Sequence, residues 1–380
     1  MYVLQIGEKM MRRFGEWFQN VATEVVEDFY AELAKLPRSR RVLDMLSADE
    51  LAHLKHRQVA HLSMLAGSDL TTEQLEATSR RLGKVHAIVG VDRDELVIGR
   101  GLIMASVTRR MAQSGFHDES GSGFAQTLTD DLTWQLQVYQ ALEDARQDVL
   151  QRITRAVWVP SGYTALINEV VAILAAHEPI AGCAIGRPDQ NGVFHIEAAA
   201  TRNMNSYFAD LLGEDVSTIV VHADQPGGQG PVGRAWRERQ IERIINFSTD
   251  PQAAPWREVA LAKGLRSCIA IPLGGHGEHP LAVLLAYSAL PGGFISLQQS
   301  AFFDMVQTLL GGALARLDDV AGMRVTIPFT ARNRLAALVR SDALVTYYQP
   351  LMDVRTWTIT KVEALARLRG LPPEKWSSLK

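Results

Sequence analysis

Two hydrophobic periodicities meet at Pro160, and no single layer of structure satisfies both. Upstream, apolar residues recur every three or four positions, as on a helix face; downstream, short apolar runs are cut by Gly, Pro and Asn, as in strands. The 380-residue chain is long enough to give each pattern its own domain, and 47% hydrophobic content supplies the cores.

The upstream part reads as helices throughout. Phe14, Phe18, Val21, Val25, Phe29, Leu33 and Leu36 form one stripe, which Pro37 is expected to end. Ser47 and Glu50 make a capping box for a helix carrying Leu51, Leu54, Gln58, His61 and Leu65 on one face. Gly67 and Ser68 break it. Thr72 to Val89 forms the next helix, with Gly90 placed to close it at positive φ. Asp92 and Glu95 read as a further box for a helix reaching about Met111, before the loop AQSGFHDESGSG.

A last long helix covers Phe124 to Val157. Its residues Leu128, Leu132, Tyr139, Leu142, Val149 and Ile153 follow a near-heptad step interrupted by Gln135 and Arg146. That spacing fits a homodimer seam and equally an amphipathic helix on its own core. Beyond Pro160, AGCAIG, VFHIEAAA, STIVV, RSCIAIPL and LAVLLAYSAL read as strands, framed by helices at Thr164 to Ala176 and Leu297 to Leu317. This is an α+β pattern. In 326–380, LVTYYQPLMDV and TITKVEALARLR are two strand-like segments around a short turn.

Composition narrows the function. A net charge of −3 argues against a nucleic-acid surface, with Arg38, Arg40 and Arg41 read as a solvated turn. The start lacks an apolar signal core, and the run Leu281 to Ala286 is too short to cross a bilayer, so a cytoplasmic location without membrane partners is expected. Cys183 and Cys268 lack zinc-ligand spacing and read as buried hydrophobes. His195 with His222, or the two cysteines together, read as structural in preference to a metal or redox site, and Trp236 and Trp256 as core.

A haem pocket needs an imidazole on a helix, apolar walls and a distal polar group. His86 offers the axial nitrogen, Leu54 a wall and Tyr30 a hydroxyl. A lone histidine on an apolar face is also what a satisfied core histidine looks like. His53 and His56 fall on another face as solvated residues rather than a metal pair.

The order FYAELAKLP, LAHLKHRQVAHLSML and RLGKVHAIVGVDRDELVIG resembles the globin domain of globin-coupled sensors, a bacterial family of haem-based gas sensors. The resemblance spans about Phe14 to Thr108. It implies haem b, with His86 as proximal iron ligand, Tyr30 as distal hydrogen-bond donor and Leu54 lining the distal side. Phe29, Gln58 and His61 join them as pocket candidates. Only 29 residues precede Tyr30, which implies an abbreviated first helical layer. The Tyr30 hydroxyl leans toward O2 over carbon monoxide among diatomic gases.

From Ser161 to Leu317, GQGPVGRAWRERQ, APWREVALAKGLRSCIAIPL and AYSALPGGFISLQQ resemble a GAF domain, with no residue set that names a ligand. The tail YYQPLMDVRTWTITKVEALARLR is similar to the opening of an EAL-type cyclic diguanylate phosphodiesterase. There Glu363 matches the residue binding a divalent metal, Mg or Mn, and Gln349 and Arg367 match dinucleotide contacts. Thr356 and Trp357 replace the usual Thr-Gly turn. One carboxylate is not a two-metal site, and an ordinary barrel of this kind needs about 250 residues.

The expected architecture is therefore multidomain: an all-α globin-like domain over 1–158, an α+β GAF domain over 161–318, and an incomplete TIM-like EAL barrel over 326–380. The expected function is a haem-based O2 sensor, dimeric, signalling through the GAF domain to an EAL output that should not hydrolyse cyclic diguanylate within these 380 residues. A haem-independent GAF interaction module stays open, as does an active phosphodiesterase in a longer chain.

Overall fold

The computed structural model describes residues 2–116, 120–201, 219–274, 279–321, 344–353 and 355–368. The upstream part contains α1 (Tyr2–Leu33), α2 (Pro37–Asp44), α3 (Ala48–Leu65), α4 (Thr72–Val89), α5 (Arg93–Ser114) and α6 (Ser120–Trp158). No strand occurs there among the described residues. The stripe of α1 is buried against α3, α5 and α6, with Phe14, Phe18 and Phe124 at the centre of the core.

Local chemistry corrects several expected boundaries. Pro37 does not end α1, which stops at Leu33; it opens α2 at a first-turn position, where its missing N–H costs nothing. The Ser47–Glu50 box forms reciprocally, worth about 1 kcal/mol. The expected Asp92–Glu95 box does not form. Asp92 pairs with Arg38 and Glu95 is buried against the Ser39 hydroxyl, so both side chains tie α5 to α2 instead. Part of the expected AQSGFHDESGSG loop is helical, since α5 runs on to Ser114, Gly115 caps it at φ 65°, and α6 starts at Ser120. Residues 117–119 of that loop lie outside the described residues.

The near-heptad face of α6 is used inside the chain. Leu128 is buried in the helical core, while Val149 and Ile153 are buried in the core of the second domain. Tyr139 donates to the Val91 carbonyl at 2.8 Å, and Gln135 is 5% exposed. The seam argument for a homodimer is thereby removed: α6 is one amphipathic helix shared by two cores.

Downstream come α7 (Tyr163–Ala176), β1 (Gly182–Pro188), β2 (Phe194–Thr201), α8 (Pro231–Glu238), β3 (Glu242–Ile244), α9 (Arg257–Ala262), β4 (Ser267–Leu273), β5 (Ala282–Ser288) and α10 (Leu297–Ala321). The strands form one antiparallel sheet in the order β2-β1-β5-β4-β3. Every residue of β4 and β5 is buried. Alternation then splits them: Ile269, Ile271, Leu284 and Ala286 face α7 and α10, and Cys268, Ala270, Val283 and Leu285 face the opposite core. The expected STIVV strand is reduced to a single bridge, Val193 with Val220, and its Ser217 and Thr218 lie outside the described residues.

β6 (Leu344–Asp353) and β7 (Thr358–Leu368) pair as an antiparallel hairpin, the two segments the sequence marks as strands. Of the expected third unit, residues 326–343, 354 and 369–380 lie outside the described residues.

Candidate functional site

A cavity of about 500 Å³ lies among the helices of the first domain. α1 contributes Phe29, Tyr30 and Leu33, and α3 contributes Leu54, Gln58, His61 and Leu62. Val85, His86 and Val89 come from α4; Leu96 and Ile103 from α5; and Leu128, Leu132 and Gln135 from α6. Thus His86, Tyr30, Leu54, Phe29, Gln58 and His61, scattered over 58 sequence positions, line one space. His53 also reaches its rim, but His56 does not, and both are exposed.

His86 is held in one protonation and one tautomer. Burial pushes its pKa down, outweighing the opposing pull of Gln135 and Asp131, so the ring is neutral at neutral pH. Its Nδ1 lies 2.9 Å from Gln135 Oε1. Gln135 Nε2 donates to Asp131 Oδ2 at 2.8 Å, and Ser79 Oγ donates to Asp131 Oδ1 at 2.6 Å. Burial pushes the Asp131 carboxyl up, yet His61, Ser79 and Gln135 together hold it below the ordinary range, so it stays an acceptor-only carboxylate. The Gln135 amide nitrogen must therefore face Asp131, its oxygen must face His86, and Nδ1 must carry the proton. Nε2 is left with a free lone pair.

Tyr30 is 7% exposed, with Phe29 edge-on at 5.1 Å and the Lys55 ammonium 5.9 Å from its ring centroid. Burial raises its pKa, so the phenol keeps its proton and can donate it. Three buried polar atoms of lining residues have no partner: His61 Nε2, Arg100 Nε and Arg266 Nε. His61 Nε2 lies 3.4 Å from Asp131 Oδ1, an ion-pair distance with poor hydrogen-bond geometry.

Gln135 and Asp131 carry no signal as site residues in the sequence, beyond Gln135 interrupting an apolar seam. Arg266 carries none, because it belongs to the second domain. It lines the cavity together with Leu290 and Pro291.

The second domain's own cavity, between Val232, Trp256, Cys268 and Tyr287, measures about 30 Å³ among the described residues, too small for an organic ligand. Cys183 and Cys268 are buried in the cores on opposite faces of the sheet. Burial pushes the Cys268 thiol up to about 12 and the Cys183 thiol higher still, so both are inert. His195 bonds to Asp189 and His222 to the Asn191 carbonyl. Trp256 is core, and Trp236 packs at its margin.

In the hairpin, Gln349 stands opposite Glu363, and Val345 opposite Arg367. The two-residue period of β7 then puts positions 349, 363 and 367 on one face.

Among the described residues, no helix is long and apolar enough to cross a membrane, and no cluster of three or more His, Cys, Asp or Glu is placed to hold a metal ion. No curated protein matches the chain. Among solved structures, the GAF domain of an Acinetobacter phosphoenolpyruvate-protein phosphotransferase is 17% identical, with 47% of this chain and 98% of that one covered and a TM-score of 0.35. The GAF domain of a phosphoenolpyruvate-protein phosphotransferase from Coxiella burnetii is 16% identical over 47% and 98%, with a TM-score of 0.37. Free methionine-R-sulfoxide reductase from Neisseria meningitidis is 15% identical over 46% and 92%, with a TM-score of 0.37. Residues 8–158 match the protoglobin family model and residues 161–315 the GAF domain model. The chain carries a protoglobin domain followed by a GAF domain.

Proposed function

We propose that the protoglobin domain binds haem b through His86 and senses a diatomic gas, O2 in the first instance, and that the GAF domain relays the change. The observation that carries this reading is the forced tautomer of His86 at the wall of an apolar cavity: a neutral imidazole, its Nδ1 proton engaged and its Nε2 lone pair free, is what an axial iron ligand requires. Two buried guanidinium nitrogens around the cavity without a hydrogen-bond partner, Arg100 Nε and Arg266 Nε, fit a cofactor with carboxylates of its own. When bound, the haem iron supplies an open coordination position for the gas. Tyr30 holds a hydroxyl proton toward a polar ligand there, and Phe29, Leu54 and Leu62 exclude water.

Signalling on this reading is a population shift between two arrangements of the helices and the GAF domain, which the gas must bind with different affinity. A homodimer would have to use a face other than the α6 stripe. The visible spectrum tests the proposal. Purified protein, or protein reconstituted with haemin, is expected to show a strong Soret band that is lost in His86→Ala. A colourless protein that cannot be reconstituted would instead support the haem-independent GAF module.

A second reading concerns output. Both faces of the hairpin expose large apolar side chains, adjacent Tyr347 and Tyr348 and adjacent Leu351 and Met352 among them. Strands covered on both faces in a larger β/α body have this composition. It favours the EAL resemblance, with Glu363 as a divalent-metal ligand for Mg or Mn and Gln349 and Arg367 toward cyclic diguanylate. The 380-residue chain is expected not to hydrolyse that dinucleotide; product formation on assay with Mn would overturn the need for further carboxylates.

A further inference from the structure

The protoglobin cavity is not closed by the protoglobin domain alone. Arg266 at the start of β4, with Leu290 and Pro291 after β5, completes its wall from the GAF domain. The same GAF face grips the chain just past His86. Gln299 donates to the Ile88 carbonyl at 3.1 Å, and Asn246 donates to the Met45 carbonyl at 3.0 Å. A Cβ at Gly90 would lie 3.3 Å from Ser296, and one at Gly292 would lie 2.6 Å from the Met45 side chain.

Arg266 sits where these contacts meet the cavity. One of its terminal nitrogens bonds to Glu50 and lies 3.3 Å from Asn246 Oδ1. Its Nε is buried and has no partner. A guanidinium presents a planar fork suited to two carboxylate oxygens, and here its bonds to Glu50, Asn246 and Ser248 all fall on one terminal nitrogen, leaving Nε without a hydrogen-bond partner. Haem carries two carboxylates at the rim of an otherwise apolar plate.

Resting on the haem reading above, we propose that Arg266 is a haem-binding residue supplied by the GAF domain: it engages a porphyrin carboxylate, in competition with Glu50, so that haem occupancy fixes how the two domains dock. The cofactor is then held by both domains. Displacement of His86 reaches the GAF domain within a few residues, through Ile88 and Gly90, in addition to the long path along α6.

The test uses the full chain loaded with haemin and a large excess of an apo-globin haem scavenger, following the rate of haem loss from the Soret band. Loss of one charge-assisted contact corresponds to about a tenfold change. Arg266→Ala is expected to lose haem about tenfold faster than wild type. Glu50→Gln, which releases Arg266 from its competitor, is expected to lose it more slowly. Hydrogen exchange at residues 88–92 and 289–299 should slow on haemin addition in wild type but not in Arg266→Ala.

If Arg266 only staples the domains through Glu50, both substitutions accelerate haem loss, and the proposal fails. It fails also if Arg266→Ala matches wild type. Should wild type take up no haemin at all, the haem reading itself falls and this proposal with it; uptake with unchanged rates removes this proposal alone.

Discussion

At the scale of single residues, the site depends on how a glutamine is satisfied. Gln135 is buried, and its amide is used at both ends, toward His86 and toward Asp131. Gln135→Leu keeps the volume but leaves the His86 Nδ1 proton and one Asp131 oxygen without partners. Each orphaned group costs about 1–3 kcal/mol, so a loss of several kcal/mol in urea unfolding of the apoprotein is expected. In haem-loaded protein the same change removes the hydrogen bond that raises imidazole basicity, and the iron midpoint potential should rise in spectroelectrochemical titration. An unchanged unfolding midpoint would show that His86 is not held by Gln135. As cavity-lining residues, His86 was legible in the sequence from its place on an apolar helical face, and both His86 and Tyr30 from the resemblance. Gln135 was visible only as a break in an apolar stripe, since nothing in the linear order says that α6 lies against α4.

At the scale of elements, α4 and α6 approach closely because Gly83 has no side chain. A Cβ there would meet the Gln135 Cα at 2.6 Å and its carbonyl oxygen at 2.8 Å, both backbone atoms that cannot rotate away. Gly83→Ala is therefore expected to cost about 1–3 kcal/mol by overpacking, well beyond any gain in helix propensity. It should also push α4 off α6 and lower haem retention, measured together by thermal melting and by Soret amplitude after gel filtration. Stabilisation by Gly83→Ala would mean that the two helices are not packed as described. The helices themselves followed from period and caps, with Gly90 closing α4 at φ 89° as its placement implied. Where the reading failed, as at Asp92 and Glu95, the side chains were claimed by Arg38 and Ser39, more than fifty positions upstream. Tertiary partners outcompeted the local cap.

At the scale of the whole molecule, the two domains share α6 and a polar contact built on Glu50. Burial pushes the Glu50 carboxyl up, but the Ser47 amide, Arg266 and Asn246 more than compensate and hold it below the ordinary range. A depressed folded pKa contributes stability that is complete above the unfolded carboxylate value, and it is lost as pH falls through the folded one. Docking of the GAF domain on the protoglobin domain is thus expected to weaken on acidification below the ordinary carboxylate range, as Glu50 takes up its proton. Glu50→Gln should make the pH dependence of interdomain hydrogen-exchange protection shallower in that window. Protection that loosened instead on raising the pH through neutrality would contradict the assignment to Glu50.

Two domains, their order, the helical character of the first and the sheet of the second were properties of the linear chain, because period, caps and turn residues act within a few positions of themselves. So was the placing of His86 and Tyr30 among the residues that line the cavity. Three things were decided only by packing: which partner fixes the imidazole, which face of α6 is spent in which core, and that a GAF arginine closes a protoglobin cavity. Each depends on distances between segments far apart in sequence, and those distances are set when apolar faces bury one another, a step that leaves no local trace in the order of residues.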